Sequence, residues 1–359
     1  MELQIETLMA ELVAGGGSDL HLAAGQAPYG RFSGQLRPMR DALLEEEQCN
    51  QLIFSLLNNA QRKQLEQTWE LDCSYGLRDV SRFRVNVYRQ RGTYAACQRA
   101  LGSGIPALES LGMPPVVEAM GRKPRGLLLV TGPTGSGKTT TLAALLEHIN
   151  QTRSEHILTI EDPIEFVYTS ARSLIHQREV NEDTRSFANA LRAALREDPD
   201  VILVGEIRDL ETIQLAISAA ETGHLVLGTL HTSSAAQTVD RMVDVFPAGQ
   251  QTQIRVQLSN SLLAVFSQTL CQRLNPAPGQ FGRVMAQEIL INTPATANLI
   301  REGKTAQLYS QLQTSGQQGM QTLERALADL VQAGTIHRDE AMAKAGKPEE
   351  LGRLLGGSP

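Results

Sequence analysis

The stretch Gly132-Pro133-Thr134-Gly135-Ser136-Gly137-Lys138-Thr139-Thr140 carries the most specific chemistry in the chain. It fits G-x-x-x-x-G-K-[ST], with an apolar run at residues 126–131 before it and a helical pattern at 139–150 after it. That strand-before, helix-after setting is the one the motif requires. The glycines let backbone N–H groups turn inward and cradle phosphate oxygens at a helix N-terminus. Lys138 would neutralise the β- and γ-phosphates of ATP, and the Thr139 hydroxyl would ligate Mg²⁺. The competing reading is a chance glycine-rich turn. Only six of the 33 basic residues are lysine, and Lys138 is the only one between Lys123 and Lys304, which argues against coincidence.

A phosphate loop that hydrolyses its nucleotide also needs acids from neighbouring strands, for the metal and for the attacking water. Residues 200–206 form an apolar strand ending in a carboxylate, but the usual acid directly after the run is missing. Gly205 stands there and Glu206 follows. Glu206 would then reach Mg²⁺ alongside Thr139, partly through water, and another segment must share the work. Thr159-Ile160-Glu161-Asp162-Pro163-Ile164-Glu165 ends a strand with three acids in five residues. Proline breaks the strand there, leaving the acids at the sheet edge where open α/β folds bind ligands. Glu165 or Glu161 would orient or deprotonate water. A solvated turn explains the same spacing equally well.

His224 and His231 bracket one strand, and their spacing places them on opposite faces, which argues against a shared metal. One reading makes each a capping or core histidine; the other sets one beside the γ-phosphate. Arg82 and Arg84 share a face of the alternating strand at residues 82–88. They form either a solvated face or arginine fingers offered to a neighbouring subunit's phosphate, which would require a ring. Arg192, Arg196 and Arg208 lie near the acidic segments as further candidates.

These residues need elements to hold them. Apolar strands at 126–131, 156–161, 201–205 and 224–230 alternate with helical segments at 139–150, 186–196 and 210–222, which predicts a parallel sheet covered on both faces. The first hundred residues read as mixed α+β: a helix at 5–13, a strand at 19–22, one helix at 42–66 and the strand at 82–88. Gly and Pro at 102–106 and 112–115 suggest a linker, giving an N-terminal domain at 1–101, a linker at 102–115 and a second domain at 116–359. From about 296 onward only helical spacing remains.

Composition excludes several classes. With 33 basic against 39 acidic residues the net charge is −6, which argues against broad binding to nucleic acid, and an aromatic content of 4% leaves little for a base-stacking channel. No apolar run approaches the roughly 18 residues of a transmembrane segment, and the start has no signal-peptide pattern. Cys49, Cys73, Cys97 and Cys271 are scattered without a C-x-x-C pair, as expected for reduced thiols in a cytoplasmic protein.

Together the segments at 160–165, 177–180, 190–209 and 222–232 resemble the Asp box, Walker B and His box of the secretion-superfamily hexameric ATPases. Further matching segments at 18–22, 233–236, 240–247, 288–294, 298–304 and 319–322 bring the resemblance closest to the type IV pilus retraction branch. The resemblance implies a RecA-like P-loop ATPase domain with a parallel-sheet core, preceded by a smaller α+β PAS-like domain. It implies a homo-hexamer acting on an inner-membrane pilus platform protein, with a paralogous retraction ATPase as a further partner. The motor would be cytoplasmic and peripherally associated with the inner membrane at the pilus base. By the same resemblance Glu165 is the catalytic glutamate, Glu206 the Walker B acid, His231 a γ-phosphate contact, and Arg82 and Arg84 inter-subunit fingers. Assembly and type II secretion relatives usually carry a long N-terminal extension and a four-cysteine zinc insertion, and neither is expected here. The retraction motif departs from the family pattern at residues 295–297, which bears on coupling rather than on ATP turnover.

Overall fold

The strands at 126–131, 156–161, 201–204 and 225–230 are short, mostly apolar runs buried along almost their whole length, so each is driven inside as a unit. The computed structural model describes residues 3–78, 80–102, 104–277 and 281–356. Met1, Glu2, Ser103 of the expected linker and residues 357–359 of the expected second domain lie outside the described residues. The chain divides into two compact units: Met1–Ile105 with Pro163–Val167, and Pro106–Asp162 with Tyr168–Pro359.

The first unit runs α1 (Ile5–Ala14), β1 (Gly17–Ala23), β2 (Tyr29–Phe32), β3 (Gln35–Pro38), α2 (Glu46–Ser55), α3 (Asn59–Thr68), β4 (Glu70–Leu77), β5 (Ser81–Gln90) and β6 (Thr93–Ala100). Its sheet is antiparallel in the order β3-β2-β1-β6-β5-β4. Strand β5 alternates as its sequence predicts: Phe83, Val85 and Val87 are fully buried against α1 and α2 residues such as Leu8 and Ile53. The single helix expected over 42–66 is two. Asn58 breaks it by accepting hydrogen bonds from the Ala60 and Gln61 amides, while the Gln61 side chain returns one to the Asn58 amide. That reciprocal cap is readable in hindsight from Asn58 with Gln61 three residues on.

The second unit runs α4 (Pro115–Gly121), β7 (Gly126–Thr131), α5 (Lys138–Thr152), β8 (His156–Glu161), β9 (Leu174–Glu179), α6 (Phe187–Ala194), β10 (Val201–Val204), α7 (Leu210–Glu221), β11 (Leu225–Leu230), α8 (Ala235–Asp244), α9 (Ala248–Ser261), β12 (Leu262–Gln272) and β13 (Arg283–Ile291). Five helices follow: α10 (Pro294–Arg301), α11 (Leu308–Thr314), α12 (Leu323–Gln332), α13 (Arg338–Lys344) and α14 (Pro348–Leu354). The sheet order is β13-β12-β7-β11-β10-β8-β9, parallel throughout except for β13 on β12. Both faces are covered. Leu127 and Leu129 of β7 enter one apolar cluster with α6, α7 and α8, while Leu128 and Val130 enter another with α5. Strands β9, β12 and β13 were not expected. Among the described residues no helix is long and apolar enough to cross a membrane, and all four cysteines are free.

Candidate active site

The phosphate loop joins β7 to α5, and its shape depends on three glycines. Gly132, Gly135 and Gly137 take φ of 143, 78 and 87°, where side-chain-bearing residues are strained. At Gly132 a Cβ would lie 2.3 Å from the Gln268 carbonyl oxygen, so the loop is pressed against β12. Lys138 opens α5 almost completely buried, and its Nζ donates to the Gly132 carbonyl at 2.9 Å and the Pro133 carbonyl at 3.1 Å. Ser136 Oγ is buried and has no hydrogen-bond partner among the described residues. Inward glycines, a buried ammonium and an unpartnered hydroxyl are the donor set a polyphosphate requires. Beside Gly137, Thr140 and Thr141 a cavity of about 290 Å³ is walled by Leu270, Phe281 and Met285 together with Arg273 and Arg283, a mixed lining with room for a purine base.

Glu206, just beyond β10, and His231, just beyond β11, meet at the same sheet edge. His231 Nε2 lies 2.8 Å from Glu206 Oε1, and its Nδ1 lies 3.5 Å from Lys138 Nζ. With Nε2–H donated to the carboxylate, Nδ1 presents a lone pair towards the ammonium, a tautomer assigned from these partners. Arg208 pairs with the same carboxylate, and that hydrogen bond raises the guanidinium pKa further. The two histidines part company here: His224 Nδ1 faces the Ala219 carbonyl at 2.9 Å at the end of α7, the capping role, whereas His231 joins the phosphate-loop lysine.

Glu161 ends β8 almost fully buried, and its Oε1 accepts from Thr159 Oγ1 at 2.7 Å and Gln177 Nε2 at 3.1 Å. Burial first, and the charges of Glu161 and Glu147 after it, push the Tyr168 phenol far above its usual range. Glu165 belongs to the first unit with Pro163–Val167. There Arg82 Nε donates to the Ile164 carbonyl at 3.0 Å and its Nη2 to Ser74 Oγ at 2.7 Å. Arg82 and Glu165 line one cavity of about 430 Å³ together with Arg78, Gly76 and Phe166. Arg84, more exposed, lies 3.8 Å from Asp72 across the strand pair. Arg192 pairs with Glu211 on the α6–α7 surface. The expected residues thus fall into two groups: the loop, Glu161, Glu206 and His231 in the second unit, and Glu165, Arg82 and Arg84 in the first.

Sequence reasoning missed the props beneath the loop. Gln268 of β12, buried, donates from Nε2 to the Ser136 carbonyl at 2.8 Å and accepts at Oε1 from Thr141 Oγ1 at 3.0 Å. Thr131 and Ser267 share a hydrogen bond of 2.8 Å between β7 and β12. Thr229 Oγ1 binds the Gly205 carbonyl and fixes the turn that carries Glu206. The available signal was a polar residue inside each apolar strand, which a buried strand tolerates only when its hydrogen bonds are met.

The model of a type II/IV secretion system protein family matches residues 108–343, well over half of the chain. The chain belongs to that family. Relatives of this type II/IV secretion system protein include the type IV pilus retraction ATPase PilT of Pseudomonas aeruginosa, 53% identical over 97% of this chain and 100% of PilT. A twitching motility protein of Neisseria gonorrhoeae is 51% identical, covering 90% of this chain and 86% of its own. Among solved structures, that of the pilus retraction motor PilT with bound ADP superposes with a TM-score of 0.91 at 48% identity, over 98% of this chain and 100% of the other.

Proposed function

We propose that the chain is an ATP-hydrolysing motor for type IV pilus retraction, working as a homo-hexameric ring on an inner-membrane platform protein. The observation that carries the chemistry is the line Lys138, His231, Glu206 at the mouth of the phosphate loop. The near full-length likeness to a retraction ATPase carries the biological assignment.

In this reading the loop amides and Lys138 take the β- and γ-phosphates, Lys138 exchanging its two loop carbonyls for phosphate oxygens. Thr139 and Glu206 would hold Mg²⁺, which would neutralise charge building on the phosphate oxygens. His231, oriented by Glu206, contacts the γ-phosphate. Glu165 accepts the proton of the water that attacks γ-phosphorus as the bond to the leaving oxygen of ADP breaks. Arg82 and Arg84 reach the phosphate of an adjoining subunit, so that closing a subunit pair around ATP completes the site. Hydrolysis then opens the pair and turns the platform protein, returning pilin subunits to the membrane.

Lys138→Ala should abolish nucleotide binding, whereas Glu165→Gln should bind ATP and fail to hydrolyse it. Unchanged turnover in Glu165→Gln would move the base role to Glu161. A deletion strain decides the direction of the motor: excess pili with loss of surface movement for retraction, loss of pili for assembly or secretion. DNA-stimulated turnover would mark a nucleic-acid translocase instead. A purified chain that turns over no ATP would be a regulatory subunit.

A further inference from the structure

Glu288 has no part in that mechanism, yet it is placed to control one of its groups. It lies on β13, opposite Ser267 of β12, and is almost fully buried. Its Oε1 accepts the amide of Ala235, the first residue of α8, at 2.7 Å. Helix α8 begins four residues after His231, and the intervening loop is stitched onto its first turns. Thr232 Oγ1 bonds Thr238 Oγ1 at 2.7 Å, Ser233 Oγ bonds Gln237 Oε1 at 2.8 Å, and Ser234 Oγ caps the Gln237 amide. The loop after His231 and the N-terminal end of α8 therefore move as one body, and Glu288 is the charge fixed against that end.

We infer that ionised Glu288 is a positioning residue for ATP hydrolysis: it holds the N-terminus of α8, and through the stitched loop it sets His231 between Glu206 and Lys138. This rests on the reading of the phosphate loop given above. A negative charge at a helix N-terminus is favourable, and a neutral carboxyl gives most of that up. A glutamine would accept the same hydrogen bond without the cost of a buried charge, so the ionisable group points to a use for the charge itself.

The groups facing Glu288 are Glu324 of α12, which disfavours its charge, and Lys347 just before α14, which favours it. Glu324 is itself held by the Lys347 amide at 2.8 Å and by Tyr309 of α11, whose hydroxyl also bonds Glu350 of α14. Burial, opposed by the Ala235 amide, brings the Glu288 carboxyl up to about 7. Its charge is then lost as pH falls through neutrality, and the hold on α8 loosens with it.

The test compares Glu288→Gln and Glu324→Gln with wild type between pH 6 and 8.5, in steady-state ATP turnover and in hydrogen exchange of the peptide spanning residues 232–238. In wild type the protection of that peptide, corrected for intrinsic exchange, and the turnover should both fall roughly three- to tenfold towards pH 6. Glu288→Gln should be flat over this range, sitting at the low-pH level in both readouts. Glu324→Gln should keep the wild-type plateau with its acid limb moved to lower pH. An acid limb and protection profile in Glu288→Gln matching wild type would overturn the inference. If exchange follows this pattern while wild type turns over no ATP at any pH, the positioning of the loop stands and the hydrolytic reading falls.

Discussion

Replacing Gln268 by leucine tests whether the phosphate loop owes its shape to β12. The side chain satisfies two buried groups at close range, the Ser136 carbonyl at 2.8 Å and the Thr141 hydroxyl at 3.0 Å, and accepts a longer bond from Gln287 Nε2 at 3.5 Å; leucine satisfies none of them. A buried polar group left without a partner costs about 1–3 kcal/mol. The Thr141 hydroxyl keeps a weak acceptor in Met285 Sδ at 3.9 Å, which puts its share at the low end. The expected loss is about 2–4 kcal/mol, seen as a fall of roughly 5–15 °C in Tm for a unit of this size. Nucleotide affinity should fall as well, because the freed loop must be ordered on binding. About 1.4 kcal/mol of ordering corresponds to a roughly tenfold weaker Kd for ADP. Calorimetric ADP titration and thermal melts supply both quantities. Thr141→Val is the comparison: it removes the Thr141 bond but leaves Gln268 on the loop carbonyl, so, although Thr141 borders the cavity, affinity should fall less than in Gln268→Leu while stability falls by about 1–2 kcal/mol. Wild-type ADP affinity in Gln268→Leu, alongside the lowered Tm, would refute the idea that β12 shapes the loop.

Two further substitutions separate roles that the sequence leaves together. His231→Ala should lower kcat by at least roughly tenfold with KM little changed, the pattern of a contact made mainly in the transition state. His224→Ala, at the end of α7, should leave turnover near wild type and cost only the stability of a helix cap; steady-state kinetics on the pair check this. Glu288→Gln should stabilise the chain at alkaline pH. The folded carboxyl titrates at about 7 against an ordinary 4.5, so the native state binds this proton more tightly than the unfolded chain. The destabilisation is therefore absent below about 4.5, grows through the interval and is complete above about 7, where it amounts to about 3 kcal/mol. Denaturant melts of the variant and wild type at pH 5 and pH 8 should show a gain several-fold larger at the higher pH.

How much of this was legible beforehand varied with how local the cause is. The phosphate loop, the strands β7, β8, β10 and β11 and the burial of Phe83, Val85 and Val87 follow from spacing alone, because a strand buried on both faces is apolar throughout and a half-buried one alternates. The split between α2 and α3 was locally encoded in Asn58 and Gln61 but hidden by continuous helix-forming residues on either side. Strands β12 and β13 were not legible because β12 follows α9 directly at Ser261–Leu262, without a glycine or proline to mark the change of period. Gln268 was invisible for a related reason: its role depends on a loop 132 residues earlier in the chain, and no local pattern reports that. The roles of His224 and His231 differ only in which strand end faces Lys138, a property of sheet topology and not of spacing.

That topology also accounts for the displaced carboxylate. The parallel register aligns Thr131 with Leu230, Val204 with Gly228 and Val204 with Ile160, so segments far apart in sequence end at one edge of the sheet. Gly205, where an acid would be usual, sits against β8. A Cβ there would lie 3.1 Å from the Ile160 carbonyl oxygen and 3.3 Å from Glu161 Cα, and the Gly205 amide donates to that same carbonyl at 2.8 Å. An aspartate at 205 would press against β8 and bring its charge beside buried Glu161. Moving the acid one residue on removes it from β8 and turns it towards β11. The turn holds it there, with Thr229 bonded to the Gly205 carbonyl and the Ile207 amide bonded to Thr229. Glu206 thereby meets His231, and the imidazole comes to stand between a carboxylate and the phosphate-loop ammonium. The missing acid and the histidine are one adjustment: the chain replaces a carboxylate at the strand end with a carboxylate that orients an imidazole.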